Sequence, residues 1–202
     1  MKSVILIGYF IEAAELLENN GYKIIGYVDN EISDCRYQYL GSDEVFVKQK
    51  IVYKKYSLFL VPDNPKIRKK LYTFYHSEGF HFETVISKNA LVSKSAVISE
   101  GCMIQAGCNI SSNVKLGCCV RVNSLANIMH DCTIGDFSVI APSSVLLGKV
   151  ILNNCVYIGA NSTVLPGIQI ESDAILGAGA VLTKNITEPA AYIGVPARKL
   201  LK

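Results

Sequence analysis

From Ile86 to Leu182 every sixth residue is Leu, Ile or Val, seventeen successive positions without a gap. A second column lies four residues after each of these. It is small or short throughout, from Ala90, Ala96, Cys102 and Cys108 to Ala174, Ala180 and Ile186. A period of six fits neither a helix, near 3.6, nor a free strand, at 2. It predicts a coil that turns a corner every six residues, three hexads making one triangular turn. The large column fills the interior of the prism and the small column leaves room near its corners. Each coil stacks on its neighbours, backbone bonded to backbone. Gly117, Gly135, Gly159 and Gly177 directly follow a large aliphatic and are expected to ease the turns.

Residues 1–82 follow another grammar, short apolar runs alternating with helical patterns. Val4–Ile7 reads as a strand. Ile11–Asn19 reads as a helix, with Ile11, Ala14 and Leu17 near one face and Gly21 as its stop. Ile24–Val28 is a second strand ending at Asp29-Asn30, and Leu58–Val61 a third. Pro65–Ser77 is a second helix, with Asn64 as N-cap and Pro65 at its first position. Strand–helix–strand order predicts a small parallel α/β unit.

Composition sharpens the boundary, because 15 of the 18 aromatic residues precede residue 83. The expected division is an α/β domain over 1–82, a β-helix over 83–187 and a C-terminal tail over 188–202. A formal net charge of +3 and a pI near 8.4 argue against a dedicated nucleic-acid surface, which would need a basic stripe. Lys66, Arg68, Lys69 and Lys70 read as a solvated helix face. No apolar run reaches 18 residues, so no membrane span is expected, and the four-residue apolar start reads as a buried strand rather than a leader. Seven cysteines without Cys-x-x-Cys spacing fit reduced thiols, hence a cytoplasmic protein.

Hexad arrays of this kind resemble the left-handed β-helix acyltransferases. The segment His130-Asp131-Cys132-Thr133-Ile134-Gly135-Asp136-Phe137, the ending Ile193-Gly194-Val195-Pro196-Ala197-Arg198 and a small Rossmann-like domain in front narrow the match. Together they look like the nucleotide-linked 4-amino-sugar N-acetyltransferases and the sialic acid O-acetyltransferases. The left hand of the helix comes from this resemblance. It further implies a homotrimer with acetyl-CoA as co-substrate, no metal, and an acceptor of the UDP- or dTDP-linked 4-amino-4,6-dideoxy sugar class for surface glycan synthesis. His130 matches the family's catalytic histidine and Asp131 the acidic residue after it. Asn123 matches the asparagine seven residues before. Gly148 matches the glycine whose amide faces the thioester oxygen. The pantetheine arm would pass Gly159, Ala160, Gly177 and Ala178 towards Val195, Pro196 and Ala197.

Two departures stand out. After Gly8 the chain runs Tyr9-Phe10-Ile11-Glu12, a shortened form of the family's glycine-rich loop. Val139 stands where some members carry a second histidine.

Acetyl transfer to an amine needs a base, a donor for the oxyanion and alignment of the reactants. Of the three histidines, His76 and His81 lie in the α/β part, with nothing reactive near them in sequence. His130 falls two residues after Ile128, off the inward column, and is expected to face outward. An imidazole, with an unperturbed pKa of about 6.5, suits a base at neutral pH, and Asp131 would orient it or raise its basicity. One coil further on, at 130 + 18, Gly148 should stack beside it and leave a bare backbone. Cys102, Cys108 and Cys132 occupy the small inward column and read as core. Asp29 and Asn30 would touch a ribose in a dinucleotide-binding unit; they, Gly8 and Asn64 are the candidates for the nucleotide, with a strand-end turn and a helix cap as the alternative.

The rival readings are O-acetylation of a sialic acid and a non-catalytic trimeric scaffold. A β-helix carbonic anhydrase would need three histidines on the helix, and only His130 lies there.

Overall fold

A computed structural model describes residues 2–201, and the chain divides into two compact units, Met1–Val85 and Ile86–Lys202. The boundary falls three residues later than composition placed it, and the tail belongs to the second unit rather than standing apart.

The first unit runs β1 (Ser3–Ile7), α1 (Ile11–Asn19), β2 (Lys23–Val28), α2 (Asp43–Lys48), α3 (Lys50–Tyr53), β3 (Ser57–Leu60) and α4 (Pro65–Ser77). The three strands form one parallel sheet in the order β2-β1-β3, with Ile7 paired to Val28 on one side and Leu60 on the other. Val4, Ile5, Leu6 and Ile7 are all buried, as a central parallel strand covered on both faces requires. Because β2 and β3 leave in opposite directions from β1, the carboxyl end of β1, at Gly8, is a topological switch point. Gly21 closes α1 with φ +82°, and the Asn64 side chain caps α4 by accepting from the amides of Lys66 and Ile67 at 2.9 and 3.2 Å.

Helices α2 and α3, six and four residues long, are too short to show a helical period in the sequence. The buried Phe46 of α2 anchors them, stacking on Tyr53 and Phe80 at centroid distances of 5.1 and 5.5 Å. The basic run on α4 is not wholly a solvated face. Arg68 is fully buried and its guanidinium donates to the carbonyls of Pro62 and Asp63 at 2.9 and 2.8 Å, so charge-assisted bonds satisfy it inside.

In the second unit two-residue strands recur every six residues and stack into three parallel sheets. Thr133 pairs with Ile151, Val139 with Tyr157 and Val145 with Thr163, so one coil is 18 residues. The inward column from Ile104 to Leu182 is buried together with the small column from Cys102 to Ala180, forming one continuous core. Ile86, at the start, is 38% exposed. After the last coil, Ala191–Ile193 pairs with Ile175 and Leu176 and turns back through an antiparallel pairing with Arg198–Lys199. The turn contains a cis Val195–Pro196 bond, and Ala197 is tucked into the core.

The corners are made differently from expectation. At every sixth residue from Gly101 to Gly179 the backbone has positive φ, including Asn113, Cys119, Leu125, Asp131, Phe137, Ser143 and Lys149. This column lies three residues after the large aliphatic, not one. Gly117, Gly135, Gly159 and Gly177 have no positive φ. They are glycine because of close approach to what lies beside them. A Cβ at Gly159 would lie 2.5 Å from the nitrogen of Ala178, and one at Gly135 would lie 2.5 Å from the carbonyl carbon of Asn153.

Candidate functional site

His130 and Asp131 occupy the corner that follows the strand Asn127–Ile128. The repeat puts residue 131 in the left-handed region, φ +63°, where Asp and Asn are tolerated better than most residues. That conformation carries the neighbouring Cys132 inward, fully buried, and leaves the His130 and Asp131 side chains outside, 54% and 40% exposed. Burial pushes the Cys132 thiol up, which disfavours a thiolate there.

The His130 Nδ1 lies 2.8 Å from Asp131 Oδ2. The other carboxylate oxygen accepts from the Asn113 side-chain amide at 3.0 Å. These two hydrogen bonds, from His130 first and Asn113 second, hold the Asp131 carboxyl below the usual carboxylate range. An ionised carboxylate can only accept, so Nδ1 carries the ring proton and the neutral imidazole presents Nε2 as a free lone pair. A ring so held is a competent proton acceptor.

Gly148 stands on the next coil beside this ring. A Cβ there would lie 2.7 Å from His130 Cε1 and 2.8 Å from Nε2. The imidazole itself thus lies where a side chain at residue 148 would begin. The coil registers are locked on both sides, since Lys149 donates to the His130 carbonyl and Gly167 to the Gly148 carbonyl, at 3.0 and 2.9 Å. The Gly148 N–H has no acceptor among the described residues. A lone pair and an unused amide therefore lie side by side on one corner.

The remaining candidates are distributed. Asn123 is buried on the preceding wall; its amide donates to Ile140, and its carbonyl accepts from Ala126 and from the Cys108 thiol. Among the described residues no hydrogen bond joins it to His130. Gly159, Gly177 and Ala178 are brought together on adjacent coils, with Ala160 next to Gly159 accepting from Gly179 at 2.8 Å. Eleven residues separate Gly148 from Gly159 around an 18-residue coil, so within one prism the glycine pair lies on a different wall from His130. Val195 is 71% exposed at the turn of the terminal hairpin. His76, the helical histidine, stacks on Tyr72. No group of three His, Cys, Asp or Glu is placed to hold a metal ion among the described residues. Among the described residues no helix is long and apolar enough to cross a membrane.

In the first unit, Gly8 has φ +86° and donates to the Val28 carbonyl at 2.7 Å. Both oxygens of Asp29 are met by backbone amides, Tyr9 at 3.1 Å and Asn30 at 2.8 Å. Asp29 thus ties the shortened loop after β1 to the end of β2. The Asn30 side chain is free of that tie and borders a shallow cleft with Ser42, Asp43, Lys70 and Phe74. Asn64 is engaged as the cap of α4.

Asn113 was not singled out from the sequence. It lies 18 residues before Asp131, and that spacing, applied backwards from the acidic residue as it was applied forwards from the histidine, is the signal that finds it.

Comparison with known proteins follows this geometry. The family model described as "Bacterial transferase hexapeptide (six repeats)" matches residues 149–184. The Bacillus subtilis (strain 168) protein named "Putative acetyltransferase YvoF" is 40% identical over 52 residues, 26% of this chain and 30% of that protein. The match thus spans less than a third of that relative. A His→Asn mutant of perosamine N-acetyltransferase from Caulobacter crescentus, solved with CoA and GDP-perosamine, superposes with a TM-score of 0.93 at 27% identity, covering 100% of this chain and 98% of that one. The acetyltransferase domain of PglB from Neisseria gonorrhoeae FA1090, in complex with acetyl coenzyme A, gives 0.90 at 23% identity over 98% and 99%. The repeat and the whole-chain likeness bear out the resemblance drawn from the motifs.

Proposed function

We propose that this hexapeptide-repeat chain is an acetyl-CoA-dependent N-acetyltransferase acting on a nucleotide-linked amino sugar of the 4-amino-4,6-dideoxy class. The observation that carries the reading is the corner where His130, oriented by Asp131, meets the side-chain-free, unbonded amide of Gly148. The likeness to an enzyme solved with both CoA and GDP-perosamine supports the substrate class. It also adds GDP to the UDP and dTDP expected from the motifs.

In this reading the sugar amine attacks the thioester carbonyl carbon directly while His130 Nε2 takes the amine proton. The carbonyl oxygen gains charge in the tetrahedral intermediate, and the Gly148 N–H donates to it. The C–S bond then breaks, the amide forms and CoA leaves as a thiolate that takes up a proton. No acyl-enzyme forms, and the buried cysteines take no part.

The pantetheine arm runs along the bare backbone of Gly159, Ala160, Gly177 and Ala178 towards Val195, Pro196 and Ala197. Gly159 and Gly177 lie on a different wall of one prism from His130, which supports a homotrimer with each site in a groove between two copies. The α/β unit is a Rossmann-like sugar-nucleotide domain and the β-helix is left-handed, as in the motif family. Gly8, Asp29, Asn30 and Asn64 stand at the carboxyl ends of its parallel strands, where such ligands bind, and Asn123 contacts the acceptor sugar. Asn30 is the best placed of these, since Asp29 and Asn64 already serve the backbone. A cytoplasmic enzyme of surface glycan synthesis fits the seven free cysteines.

The test is thiol release from acetyl-CoA with GDP-, UDP- and dTDP-linked amino sugars, alongside free sialic acids. Turnover with a nucleotide-linked amine that disappears in His130→Ala supports the reading. Turnover with sialic acids alone establishes O-acetylation instead. Absence of both turnover and acetyl-CoA binding makes the chain a scaffold.

A further inference from the structure

Asp131 has two carboxylate oxygens and is 40% exposed, so nothing in its own backbone compels Oδ2 to face the imidazole. Something must hold the carboxylate plane. The corner column supplies it, because residues 95, 113, 131 and 149 stack one above another at intervals of 18. The Ser95 hydroxyl oxygen accepts from the Asn113 backbone N–H at 3.0 Å, securing Asn113 to the coil below. The Asn113 side chain then donates to Asp131 Oδ1 at 3.0 Å. The direction of that bond is not open, since an ionised carboxylate offers no proton and only the NH2 end of the amide can face it. From the coil above, the charge of Lys149 also acts on Asp131.

We infer that Asn113 is a positioning residue of the proton-transfer site: by holding Asp131 Oδ1 from the coil below, it leaves Oδ2 to fix His130 with its proton on Nδ1 and its lone pair on Nε2. The inference rests on the proposed acetyl transfer for its catalytic meaning, but the ring geometry it predicts is independent of any substrate. A bland alternative exists. Asn113 has φ +57°, and asparagine suits that conformation whatever its side chain does.

Asn113→Gly separates the two. Glycine occupies the same corner position at Gly167 and equivalent ones at Gly101, Gly107 and Gly179, so it relieves the backbone while removing the amide. Asn113→Asp keeps a residue that tolerates the corner but puts an acceptor where the donor was. Both variants are compared with the unaltered full-length chain by 15N shifts of the His130 ring in its neutral form and by steady-state kinetics.

The expected result is a thermal midpoint for Asn113→Gly equal to or above that of the unaltered chain, with a ring that changes from Nδ1–H to a mixture of tautomers. With it, kcat falls about tenfold, a modest share of the ~10²–10⁴ a positioned base contributes, while KM for acetyl-CoA stays the same. Asn113→Asp shows the same loss. A ring that stays Nδ1–H in both variants overturns the inference, and so does a mixed tautomer with undiminished kcat. A chain that acetylates nothing but shows the tautomer change supports the positioning and sinks the proposed activity instead.

Discussion

The two units of this chain bury apolar surface by opposite means. Within the coils of the β-helix each strand residue pairs with the residue 18 away, and three large and three small positions per coil repeat around one core. In the α/β unit each buried contact is particular: Phe46 on Tyr53, Tyr75 donating to Asp43, Asp29 reaching back to Tyr9. A solenoid therefore lets function be located by counting, since a side chain's register fixes its wall and its stacking partners. The α/β unit offers no such arithmetic. A one-residue change therefore propagates along the stack in the β-helix and stays local in the α/β unit.

Gly159→Ala has the largest expected effect. The added Cβ would meet the backbone of the next coil at 2.5 Å, and no rotamer relieves a backbone clash. A loss of about 4 kcal/mol or more in the stability of the second unit is expected, read by denaturant unfolding, with the far-ultraviolet signal of the α/β unit retained. A mild effect would mean that the coils part easily and that stacking does not fix the register.

Gly148→Ala presents a similar overlap against a side chain instead. The His130 ring can swing away, so the fold should survive while the base is displaced. We expect a fall in kcat of about 10²-fold, as for a misplaced reacting group, with the melting temperature little changed. Retained activity would separate the ring position from catalysis.

In the α/β unit, Asn64→Ala removes the acceptor for two amides of α4 and should cost about 1 kcal/mol, measured on that unit's own transition. Any effect on the β-helix transition would show that the two do not behave as separate cores.

The smallest effect concerns Asp131. Its carboxyl is held down by the His130 and Asn113 hydrogen bonds. A depressed folded value contributes stability that is fully present above the ordinary carboxylate pKa of about 3.9 and is lost as pH falls through the lowered value. The small stability difference between the unaltered chain and Asp131→Asn should accordingly narrow only below about pH 4. Melts taken down to pH 2 in which the gap never narrows would contradict the assignment.

Much of this was legible beforehand, for reasons that lie in particular residues. The inward column shows itself because its residues share one chemistry, and His130 could be placed outside because Ile128 fixes the phase. The left-handed corner column stayed hidden because Asn113, Cys119, Leu125, Phe137 and Lys149 have nothing chemical in common; only the corner backbone selects the position. Gly101, Gly107, Gly167 and Gly179 were its trace. The glycines after the aliphatic do open the corner turns, Gly135, Gly159 and Gly177 accepting from the residue three later, but absence of a Cβ looks the same in sequence whether φ or a close neighbour demands it, and here it is the close neighbour. The first unit's strands and longer helices were readable from apolar runs and from the Asn64-Pro65 start. Helices α2 and α3 were not, since six and four residues hold less than two full turns. The fates of the Asp29 carboxylate and the Arg68 guanidinium depend on backbone groups that only tertiary structure brings near.

The proposed reaction assigns the proton transfer to one outward imidazole that serves neither the fold nor the cofactor. The direct measurement is the single-turnover rate of acetyl transfer in His130→Ala, paired with its acetyl-CoA affinity by calorimetry. A fall of about 10²–10⁴ in rate with unchanged affinity is the predicted result. Transfer at the unaltered rate, from a variant that still binds acetyl-CoA, would contradict it.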